Sequence, residues 1–126
     1  MTDWVLDASA LIALINQEPG NEVVDEAVRD GAAISTTNLA EVISRMVTLG
    51  MPATAAAQAA SIQNLAIVEL SRAIAESAGG RHAELRRRNI ALADVICLET
   101  ARALGATAVT ADRAWADLPD HVRIIR

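Results

Sequence analysis

Short apolar runs alternate with longer amphipathic stretches along the chain. Trp4-Val5-Leu6 is an apolar run closed by Asp7, the pattern of a short buried strand. Leu11, Ile12, Leu14 and Ile15 form a helical cluster over residues 8–15, and Pro19-Gly20 breaks it. Asn21 is placed to cap a helix over 22–29, with Glu22, Asp25 and Glu26 toward its positive start. Residues 32–35 predict a second strand. Thr36 or Thr37 can cap a helix over 38–49, where Leu39, Ile43, Met46, Val47 and Gly50 share one face. Gly50 ends it, and Pro52 suits the first turn of an alanine-rich helix over 53–65. A strand over 66–70 follows. Ser71 then caps a long helix reaching residue 85, in which Gly79-Gly80 predicts a kink or break. The polar run Arg86-Arg87-Arg88-Asn89 leads to an apolar helix over 92–104, stopped by Gly105. A strand over 107–110, a helical turn over 113–116 and a strand over 122–125 complete the order. Such alternation predicts an α/β fold: a mostly parallel sheet covered by helices on both faces.

Composition narrows what this fold can do. With 126 residues, the chain is expected to form one domain over 1–126, without repeats or linkers. Its 52% hydrophobic content excludes intrinsic disorder. All eleven basic residues are arginine, so chemistry that needs lysine is excluded, including P-loops and Schiff bases. Trp4 and Trp115 are the only aromatic residues, too few for a base-stacking platform. The net charge of −5 argues against a surface that itself neutralises many phosphates, but not against an enzyme that meets phosphates through metal ions. The single Cys97 excludes a disulfide framework and a multi-cysteine zinc site, and its apolar surroundings mark it as core. No targeting segment and no uncharged apolar run of about 18 residues is evident, so a cytoplasmic protein is expected.

The candidate chemistry lies in four acids. Asp7 ends the first strand. Glu41 lies one turn into the helix after the second, Asp94 in the first turn of the apolar helix, and Asp112 two residues beyond the 107–110 strand. All four are expected at strand carboxyl ends or helix amino ends, the edge where open α/β sheets bind ligands. Unneutralised carboxylates gathered there repel one another and call for protons or cations. Hard oxygen ligands of this kind suit Mg²⁺ or Mn²⁺. Each acid also has a plainer reading. Asp7 and Asp112 are natural helix caps, and Glu41 can pair with Arg45 at i+4. Asp94, on a helix apolar nearly all round, is the hardest to explain without a function.

Four segments carry a family resemblance: Val5-Leu6-Asp7-Ala8-Ser9-Ala10-Leu11, Asn38-Leu39-Ala40-Glu41-Val42, Leu92-Ala93-Asp94-Val95-Ile96-Cys97-Leu98 and Val109-Thr110-Ala111-Asp112-Arg113-Ala114-Trp115. In this order, with Glu18-Pro19-Gly20 after the first helix, the chain resembles PIN-domain ribonucleases, and among them the VapC-type toxins of bacterial toxin–antitoxin pairs. The resemblance implies a three-layer α/β/α sandwich and a metal-dependent endoribonuclease, usually dimeric. It implies that Asp7, Glu41, Asp94 and Asp112 hold Mg²⁺ or Mn²⁺, with Ser9 and Thr110 as small hydroxyl positions beside them and Asp117 as a candidate further acid. The aspartate that some relatives carry just after the third strand is missing from Val68-Glu69-Leu70-Ser71. The resemblance also implies a small antitoxin partner that occupies the site. Met46, Leu49 and Met51 offer apolar surface for it, for a homodimer seam or for internal packing.

One or two divalent ions can activate water and offset charge during phosphodiester hydrolysis. His82 and His121 offer a metal-free route, but neither has an evident partner. Arg86, Arg87 and Arg88 precede Asp94 closely and are candidates to hold RNA phosphates. Two other readings remain at this level: a PIN-type or flap-endonuclease-like nuclease acting on DNA or in RNA maturation, and a non-enzymatic module that binds a divalent metal.

Overall fold

The computed structural model describes residues 2–126. In chain order the elements are β1 (Trp4–Leu6), α1 (Ala8–Asn16), α2 (Asn21–Arg29), β2 (Ala33–Ser35), α3 (Thr36–Thr48), α4 (Ala53–Ala59), β3 (Ala66–Val68), α5 (Arg72–Leu85), α6 (Leu92–Leu104), β4 (Thr107–Thr110) and β5 (Val122–Ile124). Single 3-10 turns cover Arg86–Arg88 and Arg113–Asp117. The five strands form one parallel sheet in the order β3-β2-β1-β4-β5.

Successive strand residues point to opposite faces, so each strand feeds both helical layers. Leu6, Ile34 and Val109 face one core, with Leu11, Val24, Val42, Met46 and Ala56 of α1 to α4. Val5 and Ala108 face the other, with Leu85, Val95, Leu98 and Trp115. The result is the three-layer α/β/α sandwich expected. From β1 the chain moves outward through β2 to β3, then returns by α5 and α6 to β4 on the other side of β1. Strand order reverses between β1 and β4. A crevice opens beyond the carboxyl ends of strands at such a reversal.

Several local expectations are corrected. The residue that caps α2 is Gly20, not Asn21, and it adopts φ +92°. A Cβ there would lie 2.5 Å from the Ile125 carbonyl oxygen, so both the turn and the close approach of the C-terminal segment require glycine. Ser35, not Thr36 or Thr37, caps α3, because β2 runs directly into the helix. On α3 the buried stripe is Asn38, Val42 and Met46, with Leu39 and Ile43 half-buried against the same core. Val47 instead faces outward, and Leu49 is 75% exposed. Met46 therefore packs internally and offers no surface to a partner.

Helix α4 ends well before the expected position, at Ala59 rather than 65. Ser61, Ile62, Gln63 and Asn64 turn the chain there, with Asn64 at φ +70°, so that Ala66 N–H can donate to Ala32 O at 2.9 Å and begin β3. In contrast, α5 continues through Gly79-Gly80 without a break. Each helical glycine costs about 1 kcal/mol. Ala78 and Leu85, buried on the same helix, and side-chain bonds from Ser77 and Arg81 to α6 hold it in place. Among the described residues no helix is long and apolar enough to cross a membrane.

Candidate active site

Asp7 sits where β1 becomes α1 and is almost wholly buried. It caps α1: its Oδ1 accepts from Ala10 N–H at 2.9 Å and from Ser9 Oγ at 2.7 Å. Its Oδ2 accepts from Thr110 Oγ1 at 2.5 Å, across the boundary between β1 and β4. Ser9 Oγ also accepts from Ala111 N–H at 2.9 Å and lies 3.4 Å from Thr110 Oγ1. Thr110 Oγ1 in turn accepts from Asp112 N–H at 3.0 Å. The two hydroxyls thus stitch Asp7 to the segment that carries Asp112. The cap reading of Asp7 is correct and incomplete, since a cap requires neither this depth nor a partner on another strand. Burial pushes the Asp7 carboxyl up, and the negative charge of Glu41 adds to that. The donors on Thr110, Ser9 and Ala10 pull it back.

Asp94 lies in the first turn of α6, where its Oδ2 accepts from Ala91 N–H at 3.1 Å. Ala91 has no side-chain oxygen to return a bond, so only one half of a capping box exists. The Asp94 carboxyl is pushed up to about 6. Partial burial is the main cause, and the charges of Asp7, Glu41 and Asp112 add to it. Three acids distant in sequence therefore act on Asp94 in space. Asp112 caps the 3-10 turn Arg113–Asp117 by accepting from Ala114 N–H at 2.9 Å. Glu41 forms no ion pair with Arg45 among the described residues; its Oε1 instead accepts from Asn38 Nδ2 at 2.9 Å. Beneath the acids, burial raises the Cys97 thiol well above its usual range, with Asp7, Asp94 and Glu41 adding to the effect.

Among the described residues, the other candidates form no hydrogen bond with this cluster. Asp117 is exposed at the end of its 3-10 turn and forms no hydrogen bond with the four acids. His82 is half-buried on α5 and His121 exposed before β5; neither bonds to a site carboxylate among the described residues. Arg86, Arg87 and Arg88 are exposed on the 3-10 turn that continues α5. Asn89, at φ +59°, then turns the chain toward the helix that carries Asp94.

Two features were missed by sequence reasoning. Asn38 is fully buried, and its side-chain amide reaches both Glu41 and the Ala93 carbonyl on α6, the latter at 3.2 Å. Glu99, on α6, is only 6% exposed. It accepts from Ser77 and from Arg81 Nη1, the latter at 3.0 Å. Arg81 also forks onto Asp120 before β5, which lowers the Asp120 carboxyl pKa. A glutamate within an apolar helix was the available signal for this cluster, although nothing in the spacing names its partners.

The donor set is all carboxylate oxygen, and the four acids repel one another without a cation, which fits Mg²⁺ or Mn²⁺. Among the described residues no three His, Cys, Asp or Glu side chains lie close enough to hold an ion as they stand.

Residues 4–120 match the family model of the PIN domain. A comparison with curated proteins finds no match. Among solved structures, VapBC2 from Rickettsia felis, bound to a DNA fragment from its promoter, aligns with TM-score 0.76 at 21% identity, over 98% of each chain. DNA-bound VapBC from Salmonella typhimurium aligns with TM-score 0.76 at 21% identity, over 100% of each chain. VapC20 from Mycobacterium tuberculosis, a toxin that cleaves the sarcin–ricin loop, aligns with TM-score 0.77 at 16% identity, over 94% of this chain and 96% of that one. These likenesses establish a shared fold.

Proposed function

Because the chain belongs to the PIN-domain family, we propose that it is a metal-dependent endoribonuclease, the toxin of a type II toxin–antitoxin pair. The single observation that carries the reading is the hydrogen-bonded frame at the strand reversal, in which Thr110 joins the buried Asp7 to the Asp112 backbone and Asn38 joins Glu41 to the residue before Asp94. The shared fold with VapBC and VapC structures, over nearly all of their chains, supports the choice of a toxin. Such a toxin acts in the cytoplasm, as a homodimer, and is held by a small VapB-like antitoxin.

In this reading Asp7, Asp94 and Asp112 hold Mg²⁺ or Mn²⁺, and Glu41 either binds the ion or orients the attacking water. The ion supplies an activated water and offsets charge on the phosphoryl group. The protein's own groups do the remaining work. Ser9 and Thr110 fix the Asp7 carboxylate. Asp112 is exposed and can move onto an ion that the resting side chains do not yet surround, while Glu41 is held by Asn38. Arg86, Arg87 and Arg88 bind RNA phosphates beside the acidic edge.

The test is to map 5′ ends of cellular RNA after induced expression, beside an Asp94→Asn control. New 5′ ends at defined positions in the wild type, absent from the control, are expected. The same ends in both strains would reject the reading.

A further inference from the structure

We propose that Asn38 is a positioning residue that locks the Glu41 carboxylate to the first turn of α6, fixing two of the four acids relative to each other. The inference rests on the nuclease reading only where it assigns Glu41 to the metal site.

Asn38 is fully buried, yet its amide reaches the carboxylate of an exposed residue, Glu41. Its Oδ1 accepts from Ser35 Oγ at 2.6 Å, while its own backbone N–H donates back to Ser35 Oγ at 3.1 Å. That reciprocal pair sets which way the amide points. Nδ2 is left with two hydrogens and two acceptors: Glu41 Oε1 at 2.9 Å and Ala93 O at 3.2 Å. A flipped amide would present its oxygen to a carboxylate and a carbonyl, and its NH₂ to a hydroxyl already engaged by a donor. The bonding therefore admits one orientation.

The geometry follows from spacing. Asn38 and Glu41 are three residues apart, which puts them on one face of α3. Ala93 is the chain neighbour of Asp94. One buried amide thus ties the Glu41 carboxylate on α3 to the residue before Asp94 on α6, without an ion. A residue serving α3 alone needs no bond to α6, and a residue serving packing alone needs no donor to a charged edge. Outer-shell partners that orient metal-binding carboxylates typically change metal affinity about 10–100-fold when removed.

The test is a double-mutant cycle on the full chain, with Mn²⁺ binding measured by calorimetry for the wild type, Asn38→Ala, Glu41→Ala and the double variant. Asn38→Ala alone should weaken Mn²⁺ binding about 10-fold or more, and in the Glu41→Ala background the further loss should be small. Equal losses in both backgrounds, or no loss in the single variant, would overturn the proposal. If Asn38→Ala does not fold, Asn38→Ser takes its place. If the wild type binds no Mn²⁺, the nuclease reading fails, and a metal-free measurement decides the role of Asn38. Its side-chain amide should then exchange slowly with solvent by NMR and shift on Glu41→Ala. A fast-exchanging amide, or one that ignores Glu41→Ala, would overturn the proposal independently.

Discussion

Asp94 holds its proton more tightly in the folded protein than a free aspartate does, since its pKa rises from 3.8 to about 6. A carboxyl raised in this way favours folding at low pH. Its contribution is complete below about pH 4 and is lost as pH rises through about 6. Every tenfold gain in proton affinity is worth about 1.4 kcal/mol, but this carboxyl is partly open to water, so about 1–2 kcal/mol is expected in total. Metal-free Asp94→Asn should therefore be the more stable protein at about pH 7.5 by about that amount, melting several degrees higher, with the gap closing toward about pH 4. A gap independent of pH would contradict this assignment. Thr110→Val keeps the side-chain shape and removes the hydroxyl that serves both Asp7 and Asp112. Leaving buried partners unpaired costs about 1–3 kcal/mol, measurable by urea unfolding, and RNA cleavage should fall with it. The four acids were legible in the sequence because each stands at the end of a recognisable strand or the start of a recognisable helix. Asn38 was not, because its decisive partner is a backbone carbonyl 55 residues away, and no side-chain pattern records a carbonyl.

At the scale of elements, strand positions followed directly from the apolar runs. Helix ends were less legible, because caps depend on where the preceding strand releases the chain. Ser35 takes the cap from the threonines for that reason. The unbroken α5 has a similar cause: local propensity at Gly79-Gly80 favours a break, while tertiary bonds from Ser77 and Arg81 to Glu99 oppose it. These bonds also predict a stability effect. Arg81→Leu removes the buried cation from Glu99 and the fork from Asp120, leaving Glu99 the Ser77 hydroxyl and the more exposed Arg102. Breaking a buried ion pair on one side costs about 3–5 kcal/mol. Replacing both partners, in Arg81→Leu with Glu99→Leu, should cost less than Arg81→Leu alone. Chemical denaturation of the two variants checks the order, and the reverse order would contradict the clamp.

For the whole molecule, charge is the governing quantity. The chain carries −5, which taken alone disfavours an RNA partner. Two divalent ions would supply +4 and leave −1, so metal loading would turn a repulsive edge into one that RNA could approach. With no lysine in the chain, the remaining attraction falls to arginine. Replacing Arg86, Arg87 and Arg88 with Gln should weaken RNA binding and reduce the slope of log affinity against log salt by up to about 2. An unchanged slope would place the RNA elsewhere on the surface. The sheet order that creates the site, with the chain reversing between β1 and β4, was only partly legible. Strand–helix alternation implies parallel pairing but does not order the strands, and the order is what brings Asp7 to Thr110.

The proposed nuclease cleaves RNA through a divalent ion held by four carboxylates at one sheet edge. Incubating the purified protein with structured RNA in Mg²⁺, then in EDTA, and repeating the Mg²⁺ reaction with Asp7→Asn, tests it most directly. Cleavage in Mg²⁺ should leave 3′-hydroxyl and 5′-phosphate ends, and it should be lost both in EDTA and in the variant. Undiminished cleavage in EDTA, or products ending in a 2′,3′-cyclic phosphate, would contradict it.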